Sequence, residues 1–157
     1  MITNNVTRLL DSRKIAYTAF ELEAEKLGAI ETANRLGIPV EQVFKTIVIV
    51  REKPTRPILA VIPGDGQADL KAIAAVVNEK KVHLPTQREA EQLTGLQAGG
   101  ISPLALINKG FQVLIDQTAS NFEQIHISGG QRGLNIRLPT QALINLTHAR
   151  LAKISAQ

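Results

Sequence analysis

The chain has 157 residues, no cysteine and a formal net charge of +4, with a sequence pI near 9.6. That length fits one domain over residues 1–157, and a domain of this size removes roughly two-thirds of its unfolded surface from water. The missing cysteine excludes disulfides, a thiol nucleophile and thiolate metal sites, and an aromatic content of 3% argues against a stacking platform for single-stranded nucleic acid.

Hydrophobic residues make up 44% of the sequence, so the core must be built from Ile, Leu, Val and Ala. The opening residues, Met-Ile-Thr-Asn-Asn, lack the basic stretch and apolar run of a signal peptide. No apolar segment nears the roughly 18 residues that span a bilayer. A soluble cytoplasmic protein is expected, with no membrane or DNA partner. The mild basic bias permits salt-dependent binding to an RNA backbone, and equally suits ordinary solubility.

Asn4 to Lys14 carries Val6, Leu9 and Leu10 near helical spacing and predicts an amphipathic helix. Ile15 to Leu22 predicts a strand, and Ile30 to Leu36 a short helix stopped by Gly37 and Pro39. Thr46 to Val50 and Ile58 to Ile62 are continuous apolar, β-branched runs that read as buried strands. The charged, proline-bearing connection from Glu52 to Pro57 belongs on the surface. Asp69 to Asn78 reads as a helix, Val82 to Leu84 as a strand. Thr86 and Glu89 form a capping box for a helix ending at Leu93. Strands follow at Phe111 to Asp116, Ile125 to Ser128 and Leu134 to Leu138, the last two joined by a glycine-rich hairpin turn. Pro139 to Ile154 reads as a closing helix with Leu143, Leu146 and Leu151 inward. Mixing without strict alternation predicts an α+β fold: a mixed, partly curled sheet with helices packed around it.

Three segments have the chemistry to form a site. In Val43-Phe44-Lys45-Thr46-Ile47-Val48-Ile49-Val50, Lys45 sits at the mouth of an otherwise apolar strand. Its ammonium suits a phosphate or a developing oxyanion, while its stem alone would serve to cover the sheet end. In Gly99-Gly100-Ile101-Ser102-Pro103, paired glycines let a ligand approach main-chain N–H groups, or simply form a loop. In Ser128-Gly129-Gly130-Gln131-Arg132-Gly133, a hairpin turn offers a second set of backbone donors beside Ser128. Neither glycine segment matches a dinucleotide fingerprint or a P-loop. His83, His126 and His148 stand far apart with no metal-like spacing, no serine elbow is present, and no cofactor is expected. Lone carboxylates such as Asp65 and Asp116 read as loop and strand-end residues.

Taken in order, VFKTIVIV at 43–50, GGISPLAL at 99–106 and SGGQRGLNIRL at 128–138 resemble the YbaK family across nearly the whole chain. That family comprises free-standing trans-editing enzymes and the related editing domain of bacterial prolyl-tRNA synthetases. The resemblance implies a mixed, partly barrel-like sheet surrounded by helices. It also implies a hydrolase that cleaves the ester joining a wrong amino acid to the tRNA 3′ end. Lys45 takes the role of the family's pocket lysine. Gly99, Gly100, Ile101 and Ser102 would surround the amino acid, with Ser128, Gly129 and Gly130 on the opposite wall. Lys45, Gly100 and Ser128 are the expected catalytic groups.

The closest subgroup is the free-standing Cys-tRNA(Pro) deacylases, whose catalysis is substrate-assisted, the cysteinyl thiol attacking its own ester carbonyl. Phe20 stands where the subgroup has Tyr, Leu27 where it has Phe, and Asn135 where it has Asp; all three are expected at the pocket. Preference for another amino acid such as alanine, or a tRNA-binding module without turnover, are the alternatives. Besides tRNA, prolyl-tRNA synthetase is the expected partner.

Overall fold

The computed structural model describes residues 2–53 and 55–157; Pro54, within the connection expected on the surface, lies outside them. In chain order the elements are α1 (Asn5–Ser12), β1 (Thr18–Glu21), α2 (Ala29–Leu36), β2 (Phe44–Arg51), β3 (Ile58–Pro63), β4 (Gln67–Ala68), α3 (Leu70–Val76) and β5 (Val82–His83). They continue with α4 (Gln87–Thr94), β6 (Gln112–Asp116), β7 (Gln124–Ser128), β8 (Leu134–Pro139), α5 (Thr140–Thr147), β9 (Arg150–Ala152) and β10 (Ser155–Ala156).

Helix ends follow local chemistry. Asn4 caps α1 by accepting from the Val6 and Thr7 N–H groups. Gly37, at φ 67°, takes the left-handed turn that closes α2. Thr86 and Glu89 form the expected capping box at the start of α4.

β3 is buried at every residue, so both of its faces need cover. Leu59 and Val61 face one core; Ile58, Ala60 and Ile62 face another. β3 lies at the centre of a five-stranded sheet, ordered β5-β2-β3-β6-β9. β2 is antiparallel to β3 and β5; β6 is parallel to β3, and β9 to β6. A second, antiparallel sheet has the order β1-β8-β7, and β4 pairs with β10.

One core joins the two larger sheets, with Ile125, Ile127, Ile136 and Leu138 from the smaller one and Val6, Leu10 and Leu143 from α1 and α5. The other places Ile73, Ala74 and Val77, along α3 and at its end, against the opposite face of β3. The expected mixed α+β architecture is present, and the sheets do not close into a barrel. Instead a lone parallel bridge between Val43 and His126 connects β7 to the entry of β2. Among the described residues no helix is long and apolar enough to cross a membrane.

The C-terminus departs from the sequence expectation. The helix expected to reach Ile154 ends at Thr147, because His148 turns left-handed at φ 54°. Arg150–Ala152 then joins the sheet edge beside β6, and Ser155–Ala156 pairs with β4. Leu151, expected inward, is 38% exposed, and Ile154 fills the core instead. This turn is held by Asp116. Its buried carboxylate accepts the Ile154 N–H at 3.0 Å and the Thr118 hydroxyl at 2.6 Å.

The two glycine loops dock backbone to backbone. A Cβ on Gly100 would stand 2.9 Å from Gln131 Cα and 3.0 Å from Arg132 N. Arg132 Nε donates to the Ala98 carbonyl at 2.7 Å across the same contact. Asn4 Nδ2 donates to the Gly129 carbonyl at 2.9 Å, tying the hairpin turn to α1.

Two stability predictions follow from these contacts. Gly100→Ala must push two backbones apart and is expected to lose about 1–3 kcal/mol in denaturant unfolding. Gly28→Ala, where a Cβ meets nothing within 4 Å, carries only the modest cost of an alanine at the N-cap of α2 and is expected to lose less than Gly100→Ala. Asp116→Ala leaves the Ile154 N–H unpaired, a cost of roughly 1–3 kcal/mol. Burial alone would raise the Asp116 carboxyl, but hydrogen bonds from Thr118 and Ile154 outweigh it and hold it below the ordinary carboxylate value. A depressed carboxylate stabilises the fold above its unfolded pKa, and that stability is lost as pH falls through the folded value. Melting curves against pH should therefore show a smaller acid loss for Asp116→Ala than for the unsubstituted protein.

Candidate active site

The bridge at Val43 and His126 sets the geometry of the site. The two strands run parallel there, so two residues further along each lead to Lys45 and Ser128. Both line a cavity of about 370 Å³, within the range of small-molecule sites. The β1–α2 connection, the start of α2 and the Ala98–Ile101 loop complete its walls.

Of the residues singled out from sequence, Lys45, Leu27, Gly99, Ile101, Ser128 and Asn135 line this cavity. Gly100, Ser102, Gly129, Gly130 and Phe20 do not. Gly100 spends its space on the contact with Gln131. Ser102 is fully buried, and its hydroxyl accepts the Leu104 N–H at 3.2 Å, capping the 3-10 turn Pro103–Leu106. Gly129 closes the hairpin through its N–H to the Leu134 carbonyl, at 2.8 Å. Gly130 turns at φ 94° and donates to the Ser128 hydroxyl at 3.3 Å. Phe20 pairs with Asn135 across β1 and β8.

Lys45 is half-buried, and its ammonium donates to the Gly64 carbonyl at 3.2 Å. Burial pulls its pKa below the ordinary lysine value, partly offset by the nearby Asp65 carboxylate. A cation that is poorly solvated gains most from a negative partner, which is what an oxyanion supplies.

The opposite wall comes from strand alternation. In β7 and β8 the residues Ile125, Ile127, Leu134, Ile136 and Leu138 enter the core. His126, Ser128, Asn135 and Arg137 occupy the alternate positions, and register places Ser128 opposite Asn135 and His126 opposite Arg137. Although polar, this face is covered: His126 is 2% and Asn135 6% exposed. His126 Nδ1 lies 2.9 Å from Asn135 Oδ1, and burial lowers the ring's pKa, favouring the neutral imidazole. The Phe20 ring packs on His126 at 5.6 Å, with the Arg137 guanidinium 5.6 Å from the Phe20 centroid.

Several residues in the cavity wall or directly behind it carry no sequence signal of their own. His126 looked solitary, yet the two-residue period of QIHIS puts it on the face of Ser128. Thr46 lines the cavity, with a buried hydroxyl that has no partner among the described residues. Glu25 and Lys26 form a lip. Arg35 holds this lip to α2, reaching Glu23 at 2.7 Å, Glu31 at 2.9 Å and Glu25 at 3.7 Å.

The chain is similar to known proteins in sequence and in fold. The family model for the aminoacyl-tRNA editing domain matches residues 23–146. A protein of Enterococcus faecalis named "Putative Cys-tRNA(Pro)/Cys-tRNA(Cys) deacylase EbsC" is 34% identical over 98% of this chain and 93% of its own length. A proline–tRNA ligase of Acidithiobacillus ferrooxidans is 27% identical over 63% of this chain, which corresponds to 18% of the ligase. Among solved structures, one titled "Crystal structure of hypothetical protein APE2540" superposes with a TM-score of 0.89 at 21% identity, covering 98% of this chain and all of the other. Another, titled "Crystal structure of a putative trans-editing enzyme for prolyl tRNA synthetase", gives 0.82 at 24% identity over the full length of both. At those identities the two structures establish the shared fold. The family model and the Enterococcus relative together cover the cavity and nearly the whole sequence, and the chain belongs to the aminoacyl-tRNA editing domain family.

Proposed function

We propose that residues 1–157 act as one cytoplasmic deacylase domain that removes a wrong amino acid from tRNA in trans, with Cys-tRNA(Pro) as the preferred substrate. The observation that carries this reading is the half-buried Lys45 ammonium across the cavity from Ser128 and Asn135. The name of the Enterococcus relative supports the substrate class.

An aminoacyl ester is already reactive, so positioning and stabilisation of one oxyanion account for most of the catalysis required. Lys45 and the backbone of Gly99 and Ile101, which line the cavity, supply the positive end; the Gly100 N–H is held by the Gln97 carbonyl at 2.8 Å. The sequence has no cysteine, and the nucleophile is the substrate's own thiol. Its sulfur bonds to the ester carbonyl carbon and the bond to the ribose oxygen breaks. That oxygen takes up the proton, and water opens the resulting cyclic thioester to free cysteine. Ser128 borders the reacting ester.

The test is a deacylation panel of Cys-tRNA(Pro), Ala-tRNA(Pro), Cys-tRNA(Cys) and Pro-tRNA(Pro). Release of cysteine and retention of alanine are expected, since alanine has no thiol. Release of alanine at a similar rate rejects the substrate-assisted step, and release of nothing rejects the deacylase. Lys45→Met is expected to lower kcat by about 10²–10³-fold. Folding disfavours the charged amine at this position, so the same variant should melt no lower than the parent. Because Lys45 sheds its proton below the ordinary lysine pKa, kcat/KM should fall on the alkaline side. Lys45→Arg, charged throughout, should lack that limb even if slower.

Prolyl-tRNA synthetase is the proposed partner that supplies tRNA selection, since the family's editing domain also occurs within such synthetases. Addition of that synthetase should tighten tRNA binding; unchanged affinity and selectivity reject the partnership.

A further inference from the structure

Asn135 occupies the central strand of the three-stranded sheet, paired on one side with Phe20 and on the other with Ser128. Its backbone is therefore fixed by two ladders, and its χ1 by burial at 6% exposure. The freedom that remains is rotation of the carboxamide, which exchanges a donor for an acceptor at nearly constant shape.

A neighbouring group controls that rotation. His126 has Asn135 Oδ1 as its side-chain hydrogen-bond partner, at 2.9 Å. The ring is itself immobilised. Its backbone bridges to Val43, its face meets Phe20 at 5.6 Å, and it is 2% exposed. With Oδ1 taken by His126, Asn135 Nδ2 is left without a hydrogen-bond partner among the described residues. Asn135 itself lines the cavity, so the amide end that His126 does not hold is the one left for a ligand.

We propose that His126 is a positioning residue. It donates its Nδ1–H to Asn135 Oδ1 and thereby locks the carboxamide with its NH₂ toward the cavity, so that this wall recognises an acceptor atom of the aminoacyl ester. Donors then stand on both sides of the cavity, the Lys45 ammonium on β2 and the Asn135 amide on β8. A carboxylate at 135 would present only acceptors once His126 had bound one oxygen. The neutral amide makes this wall a donor and sets what the pocket selects.

The inference rests on the deacylase reading for its substrate, and the test separates the two. One arm uses ¹⁵N NMR of the wild-type protein at neutral pH, without any substrate. A neutral His126 ring protonated at Nδ1 is expected. Protonation at Nε2 overturns the proposal, because Nδ1 would then accept from the amide and Oδ1 would face the cavity. The second arm is a double-mutant cycle on deacylation of Cys-tRNA(Pro). His126→Phe keeps a ring against Phe20 and is expected to lower kcat/KM about tenfold in the parent, the value of one well-made hydrogen bond. In an Asn135→Ala background the same change should alter kcat/KM by about twofold or less. An equal loss in both backgrounds assigns His126 a structural role and overturns the positioning. If the wild type deacylates no mischarged tRNA, the deacylase reading fails, while the ring tautomer still decides how the amide is held.

Discussion

The two sheets are joined by very little backbone. A lone parallel bridge between Val43 and His126 ties the smaller sheet to the entry of β2. Beyond that bridge β2 and β7 are not paired, and residues of both strands line the cavity. Lys45 and Ser128 face this cavity because each lies two residues past the junction on its own strand. The apolar core on the far side of β7 and β8 carries the load of holding the sheets together. The polar side is then free to be shaped for a ligand.

The glycine loops extend the same logic. Gly100 and Gly129 do not line the cavity; they permit close approach, Gly100 to the hairpin backbone and Gly129 to the Leu134 side chain. With those contacts made, Gly99 and Ile101 reach the cavity from one side and Ser128 from the other. Part of each loop is thus packing, and part is wall.

Much of the fold was legible from local pattern. The apolar runs of β2 and β3, the capping box at Thr86 and Glu89 and the hairpin at 128–134 all carry strong short-range signals. β4, β9 and β10 carry none. At two or three residues each, they exist because a partner strand is already in place. The spacing of Leu143, Leu146 and Leu151 imitated a helix that His148 in fact ends. In the site, Lys45 could be picked out as a cation in an apolar strand. The place of His126 depended on register between β7 and β8, and Gly28 and Ala29 enter the wall without any chemical signature.

The division of β8 into two faces has an evolutionary consequence. Leu134, Ile136 and Leu138 answer to the core, while Asn135 and Arg137 lie on the other face and answer to their polar neighbours. Phe20 and His126 belong to that second set. Selection can rewrite the second set as a group, with little penalty in the first, because a two-residue period keeps their environments apart. One scaffold can in this way diverge toward different misacylated substrates by exchanging residues on a single face.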